Sequence, residues 1–245
     1  MMSRTFRDPI TRVVVLLWLG LAMLYFLPGI SPDLLARLGD RYSTLPLWPW
    51  AAAACLVGVA GIRNAADRRF WMLQGFSFIA LLAIEIPWAV TRKSNTVVWN
   101  IAAEACYFAY YGCQLASVAQ TPAGRIRAWI ACALFAVGLS VLALTTWPVY
   151  AAAHASYLTY LLFDASMAMA FWRARTRMSG AWSPIFTGLA LTSALVLATD
   201  ALDWLSYVGT LNLVAGMRSD ILWTLPPLCY AVVARFGRQR LAAAR

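Results

Sequence analysis

The sequence predicts an all-α integral membrane protein, a polytopic bundle of about eight transmembrane helices with both termini cytoplasmic. Of its 245 residues, 62% are hydrophobic and only 12% are charged, whereas soluble domains carry about 25% charged residues. The mean hydropathy is +0.68. Apolar runs recur along the whole chain, so residues 1–245 are predicted to form a single transmembrane helical domain.

The predicted helices are apolar runs close to the roughly 20 residues that a helix needs to cross the hydrocarbon core. The first follows Arg4, Arg7 and Arg12, and no small-residue cleavage site comes after it, so we interpret it as an uncleaved span. Pro148 separates the fifth run from the sixth. The predicted spans are residues 13–27, 45–62, 70–90, 96–119, 126–147, 150–172, 183–207 and 217–234.

The basic residues give the predicted orientation. With eight spans, 15 of the 20 Lys and Arg residues fall on the side that holds both termini. The other 5 are Arg37, Arg41, Arg92, Lys93 and Arg218. Because short cytoplasmic loops are enriched in basic residues, this asymmetry puts both ends of the chain in the cytoplasm. The same placement, in loops and at the termini, favours contact with lipid headgroups and argues against nucleic acid as a partner.

The longest predicted loop, residues 28–43, lies on the outer side and contains a helix start signal. Ser31 is the predicted N-cap and Pro32 the first helical residue, since a hydroxyl followed by proline is typical of a helix N-terminus.

Ionisable side chains inside the predicted helices carry the functional signal. A carboxylate at a helix centre costs about 2.5–3.5 kcal/mol on insertion scales, so such groups are functional hypotheses by default. Asp164 falls near the midplane, and the others fall in or near the outer half of their spans. These acidic residues are Glu85, Glu104, Asp164, Asp200, Asp203 and Asp220.

Aromatic residues accompany these acids at helical spacing. Tyr107 and Tyr111 follow Glu104 at i+3 and i+7, and Tyr160 precedes Asp164 by four residues. Trp204 shares a face with Asp200 and Asp203, and Trp223 follows Asp220 by one turn. The pattern predicts an outward-facing acidic and aromatic pocket for a cationic, polar or metal ligand. In the alternative interpretation the acids bond to one another, to hydroxyl groups and to water, and so specify helix packing.

Several chemistries are not predicted. The five cysteines lie in apolar segments without a CxxC motif, which argues against a zinc site or a disulfide framework. The single histidine, His154, excludes bis-histidine haem and is interpreted as an interface residue. The one lysine, Lys93, lies in a loop, which excludes a retinal Schiff base. The sequence predicts no catalytic residues and no metal ligands, and it leaves the cofactor unknown.

The end of the chain resembles a known class of membrane modules. The run Asp200-x-x-Asp203-Trp204-x-x-Tyr207-x-Gly209, then Gly216-x-x-x-Asp220-x-x-Trp223, precedes an apolar helix that ends in arginine. It resembles the multi-pass sensor regions N-terminal to bacterial GGDEF, EAL or histidine kinase domains. The resemblance implies a sensory input module in the bacterial inner membrane, whose last helix signals to a cytoplasmic partner or through a homodimer. The sequence up to Arg245 contains no output domain. We therefore expect either a fragment of a sensor or a free-standing relative of these sensors that works through a partner.

Two other functions remain open from the sequence. The acidic pocket also fits a transporter of small molecules or ions, although no internal repeat is visible. An integral membrane enzyme that acts on lipid is the second alternative. A further expectation concerns Pro226 and Pro227, which fall midway along the last predicted span. They are predicted to kink it directly below Asp220.

Overall fold

The computed structural model describes residues 7–31, 33–35, 45–91, 97–121, 154–207, 209–213 and 218–244. All regular structure in these ranges is helical, in agreement with the predicted fold class. Two 3₁₀-helices, Val59–Gly61 and Arg218–Thr224, interrupt the series. The predicted span 126–147 lies outside the described residues. The α-helices are α1 Pro9–Phe26, α2 Trp48–Leu56, α3 Ala65–Thr91, α4 Val97–Ala119, α5 His154–Arg177, α6 Trp182–Tyr207 and α7 Leu225–Ala243.

Three segments in the described part of the chain are long and apolar enough to cross a membrane: Pro9–Phe26, Ala65–Pro87 and Trp182–Ser206. The helices α4 and α5 have comparable lengths of 23 and 24 residues. They are less apolar because acidic and phenolic side chains replace aliphatic ones along them. The described part of the chain is therefore an all-helical bundle with three helices suited to a membrane.

Side-chain caps explain where two of the helices begin. Asp8 precedes Pro9, and its Oδ1 accepts the Thr11 N–H at 3.1 Å at the start of α1. Asn64 Oδ1 accepts the N–H groups of Ala66 and Asp67 at 2.9 and 3.2 Å at the start of α3. Both side chains satisfy donors that a helix leaves free in its first turn. With its cap at Asn64, α3 begins before residue 70, where the sequence predicted the start of this span.

The loop after α1 contains the predicted N-cap. Ser31 Oγ accepts the Leu34 N–H at 3.2 Å, and residues 33–35 form a helical turn. The prediction of Ser31 as an N-cap is confirmed.

The helices α3 and α4 are antiparallel. At one end of the pair, the Gln74 side-chain amide donates to Ser117 Oγ at 2.7 Å. At the other end, the Tyr107 hydroxyl donates to Glu85 Oε1 at 3.1 Å. Because residue numbers rise along α3 as they fall along α4, the two helices run in opposite directions.

The helices α4 and α5 are parallel neighbours. The rings of Tyr107 and Tyr160 lie 5.1 Å apart, and the rings of Tyr111 and Phe163 stack at 4.6 Å. The residue numbers of the contacting pairs rise together along α4 and α5, so the two helices run in the same direction. The end of α4 and the start of α5 therefore lie at opposite ends of the bundle.

The last helix, α7, packs against α1, α2 and α6. At its C-terminal half, Arg235 Nε and a terminal nitrogen contact the Asp8 carboxyl oxygens at 2.9 and 2.5 Å. Arg238 donates to the Val57 carbonyl. Burial raises the pKa of the Asp8 carboxyl, but hydrogen bonds from Arg235 and the Thr11 N–H, with the charge of Arg235, outweigh burial, so its pKa is held below the usual 3.8. This ion pair joins the start of α1 to α7.

The second predicted span is shorter in the structure than in the sequence prediction. The helix α2 has nine residues and ends at Leu56. It begins at Trp48, whose ring stacks on Phe78 at 5.6 Å, near the middle of α3. At its other end, Val57 meets Arg238 of α7. Thus α2 covers only one half of the bundle, and residues 45–62 do not form one continuous helix.

The predicted kink at Pro226 and Pro227 is wrong. The two prolines lie in the first turn of α7, directly after the 3₁₀-helix Arg218–Thr224. Backbone N–H groups in a first turn have no partner within their own helix, so proline removes no α-helical hydrogen bond there. The prolines mark the start of α7 rather than a bend within it, and α7 continues as an α-helix to Ala243.

Candidate functional site

The acidic residues of α3, α4 and α5 meet through tyrosine hydroxyl groups. The Tyr107 hydroxyl donates to Glu85 Oε1 at 3.1 Å, and the Tyr160 hydroxyl donates to Glu104 Oε2 at 2.7 Å. The two phenol rings lie 5.1 Å apart. Glu104 and Tyr107 are one turn apart on α4. The helix α4 therefore provides a carboxyl group to α5 and a phenol to α3. These contacts form the outer layer of what we call the carboxyl cluster.

A deeper layer of the carboxyl cluster contains Asp164 of α5 and Asp200 of α6. The Tyr111 hydroxyl donates to Asp164 Oδ1 at 2.7 Å. The carboxyl groups of Asp164 and Asp200 lie within hydrogen-bonding reach of each other. Asp164 is 2% exposed and Tyr111 is 5% exposed. Asp164 therefore lies inside the bundle, one turn of α4 below the Tyr107 layer, and Asp200 is partly exposed beside it.

The hydrogen bonds of this pair require a proton. Asp164 Oδ2 is buried and accepts no N–H or O–H group from the described residues. The group that faces it is the Asp200 carboxyl, and two ionised carboxylates cannot hydrogen-bond to each other. One proton between the two carboxyl groups supplies the missing donor. In that state the Asp164–Asp200 pair would carry one negative charge rather than two.

The helix α7 reaches this layer through Tyr230. The Tyr230 and Ser193 hydroxyl oxygens lie 3.0 Å apart, and Tyr230 also bonds to Tyr110. Tyr110 is adjacent to Tyr111 in α4, and their rings form an edge-to-face contact at 4.9 Å. All three phenols are buried. A short chain of phenol contacts therefore links Asp164 to α7.

Below the phenols, uncharged polar side chains continue between α3 and α4. Gln114 is 0% exposed, and neither its amide oxygen nor its amide nitrogen has a partner among the described residues. Ser117 lies one turn further along α4 and bonds to Gln74. A buried amide without partners is costly, and ordered water is the usual means of satisfying it. The region beneath the carboxyl cluster is therefore polar.

Four predicted site residues lie at the margin of the carboxyl cluster or outside it. Asp203 is exposed, one turn beyond Asp200 on α6, and Trp204 is partly exposed with a buried Nε1 that finds no acceptor in the described ranges. Asp220 and Trp223 lie on the 3₁₀-helix Arg218–Thr224, which contacts α1, α6 and α7. There Trp18 Nε1 of α1 donates to Thr224 Oγ1 at 2.9 Å. The hydrogen bonds of the carboxyl cluster described above do not involve that helix.

The structure thus brings together seven of the predicted residues on four helices. Sequence reasoning missed Tyr110, Tyr230, Ser193, Gln74, Gln114 and Ser117. Gln74, Gln114 and Ser117 carry a readable signal, since uncharged polar residues within apolar helices usually form interhelical hydrogen bonds. Tyr230 carries no such signal, because a tyrosine near a membrane helix end is also typical of the interface. The residues brought together are Glu85, Glu104, Tyr107, Tyr111, Tyr160, Asp164 and Asp200.

The arrangement favours small or positively charged occupants. Within the described part of the chain, the partners of Asp164 and Asp200 are carboxyl groups and a phenol, and none is a cation. Among the same residues, no group of three or more His, Cys, Asp or Glu side chains is placed to hold a metal ion. The carboxyl cluster can therefore offer negative charge and hydrogen-bond acceptors to a ligand, but it does not form a metal cage.

No family model matches this chain, and comparisons with curated proteins and with solved structures give no match either.

Proposed function

We propose that this protein is a sensory input module of the bacterial inner membrane. Its carboxyl cluster would bind a cationic ligand from the outer side, and α7 would carry the signal to a cytoplasmic partner or a second copy of the chain. The observation that carries the proposal is the link from Asp164 through the phenols to Tyr230 of α7. A change of charge in the carboxyl cluster would thereby reach the helix whose other end carries Arg235, Arg238 and Arg240.

The proposal includes eight membrane crossings with both termini cytoplasmic. The parallel arrangement of α4 and α5 supports an additional crossing between them, as the sequence predicts for residues 126–147. The Asp8–Arg235 ion pair supports a common side for the two ends of the chain. The short helix α2 would need the segment before it to complete its crossing. Reporter fusions after Arg125 and after Arg240 test this topology, and a periplasmic signal at either position contradicts it.

The packing of α6 on α7 supports a rigid transmission of movement. Gly188 of α6 lets Val233 of α7 approach so closely that an added Cβ would lie 2.7 Å from Val233 Cγ2. Ser193 of α6, one and a half turns further along, contacts Tyr230. Interfaces with small residues let helix backbones approach each other closely in membranes. A shift of α6 at Asp200 would therefore displace α7 rather than be absorbed by loose packing.

The test measures movement of α7 when the charge of the carboxyl cluster changes. Spin labels on genetically encoded residues at Leu241 and Arg69 report the distance between the end of α7 and the start of α3 in liposomes. Asp164→Asn combined with Asp200→Asn removes the negative charge of the pair, as binding of a cation would neutralise it. We expect a shifted distance distribution in this double variant and a smaller shift when Tyr230→Phe is added, because the phenol chain is then broken.

The matched control is Asp33→Asn, which changes an exposed carboxyl group in the loop after α1. It should leave the distances as in the wild type. Identical distributions for the wild type and the Asp164→Asn, Asp200→Asn double variant would contradict signal transfer through α7.

A transporter is the second candidate, and the unpartnered Gln114 amide favours it. A polar region that continues below the carboxyl cluster offers a path towards the other membrane face. Ion flux into proteoliposomes separates the two functions. Uptake of Na⁺ or protons that is abolished by Asp164→Asn supports transport, whereas ion-tight liposomes favour the sensor.

A further inference from the structure

We propose that the ligand of the carboxyl cluster is the proton itself, taken up and released by the Asp164–Asp200 pair from the outer side. This inference rests on the proposed sensory function and names its ligand. In the proton-bound form, the two carboxyl groups share one hydrogen and carry one negative charge. Release of that proton to external water leaves two carboxylates that face each other.

One carboxyl oxygen of the pair has no hydrogen-bond donor among the described residues. Asp164 Oδ2 is buried within a residue that is 2% exposed, and the described residues offer it no donor. The Tyr111 hydroxyl is already used by Oδ1. The remaining neighbour is the Asp200 carboxyl. A proton between the two acids would supply the missing donor, and the facing carboxyl groups are placed to share it.

The groups that surround the pair in the described part of the chain are all acids or phenols, so none of them can neutralise a second negative charge by ion pairing. They are Glu85 from α3, Tyr107, Tyr110 and Tyr111 from α4, Asp203 from α6 and Tyr230 from α7. Loss of the proton would make the two carboxylates repel each other across the α5–α6 interface. A change in that interface is the expected structural response.

The pair can exchange a proton with water through α6. Asp200 is partly exposed, and Asp203, one turn away on the same face of α6, is exposed. Asp203 can take a proton from water and pass it to Asp200. The described residues form no metal cage, so a proton fits the carboxyl cluster better than a divalent cation does.

The test follows the protonated carboxyl group by infrared difference spectroscopy. The wild-type protein in liposomes is titrated over external pH, and the carbonyl stretch of a carboxylic acid is recorded in H₂O and in D₂O. We expect a band at neutral pH that shifts in D₂O and disappears at alkaline pH. Asp164→Asn and Asp200→Asn should each remove it, because either change destroys the shared site.

The control is Asp33→Asn, which removes an exposed carboxyl group in the loop after α1, away from the carboxyl cluster, and should preserve the band. Absence of a D₂O-sensitive band in the wild type at neutral pH would overturn the proposal, as would a band that survives both Asp→Asn changes. The Leu241–Arg69 distance is measured in the same samples. A normal band with an unchanging distance upholds the proton site and rejects the sensor. A distance change without the band supports the sensor and rejects the proton as its ligand.

Discussion

Replacing Gly188 with alanine tests whether α6 and α7 are packed as closely as the structure shows. The new Cβ would lie 2.7 Å from Val233 Cγ2 and 3.0 Å from Val233 Cγ1. Carbon atoms pack at about 3.5–4.0 Å, so one helix would have to move by about 1 Å. Val233 is β-branched and has one preferred rotamer in a helix, so its side chain cannot swing away.

The expected change in the stability of Gly188→Ala is the sum of two opposing contributions. Overpacking costs about 1–3 kcal/mol, while alanine in a helix interior gains about 1 kcal/mol over glycine. Gly112 of α4 isolates the second term, because a Cβ there would meet nothing within 4 Å. We therefore expect Gly188→Ala to be less stable than Gly112→Ala by about 1–3 kcal/mol.

The assay is thermal unfolding of both variants in the same detergent, with circular dichroism at a helical wavelength. Adding Val233→Ala to Gly188→Ala should recover part of the loss, since it removes the two methyl groups that clash. If Gly188→Ala is as stable as Gly112→Ala, the close approach of α6 and α7 is incorrect.

Two further predictions concern hydrogen bonds at opposite ends of the bundle. Tyr111→Phe removes the donor to Asp164 Oδ1 and should lower the free energy of unfolding by about 1–3 kcal/mol, measured by thermal unfolding; an unchanged value would contradict the buried bond. The pKa of Asp8 is held below 3.8, so its pairing with Arg235 stabilises the protein above that pH and is lost as the pH falls through the lowered pKa. The stability difference between the wild type and Asp8→Asn should therefore shrink in acid, and a difference that is equally large at neutral and strongly acidic pH would refute the ion pair.

The sequence is sufficient to predict the helical class and seven members of the carboxyl cluster. Apolar runs and capping residues such as Ser31 act locally, so their spacing can be read directly. Glu85, Glu104 and Asp164 were recognisable because charged groups in apolar helices require partners. The partner of each acid depends on tertiary packing, and the pairing of Asp164 with Asp200 has no signature in the spacing of residues on one helix.

The wrong predictions have physical causes as well. An apolar run does not reveal where a helix begins, so the run at residues 45–62 predicts one helix, although α2 starts at Trp48 and ends at Leu56. Pro226 and Pro227 break a helix only if it already exists before them. In the structure a 3₁₀-helix precedes them, and the same two residues are compatible with a first turn.

The central claim is that Asp164 and Asp200, on two different helices, form one unit in the core of the bundle. A double-mutant cycle on the free energy of unfolding tests it most directly, with Asp164→Asn, Asp200→Asn and the combined variant. Residues that share a buried hydrogen bond should show a coupling energy of about 0.5–3 kcal/mol. Asp164→Asn combined with Asp8→Asn, at the opposite end of the bundle, serves as the additive control. Additivity within about 0.5 kcal/mol for the Asp164–Asp200 cycle would contradict the claim.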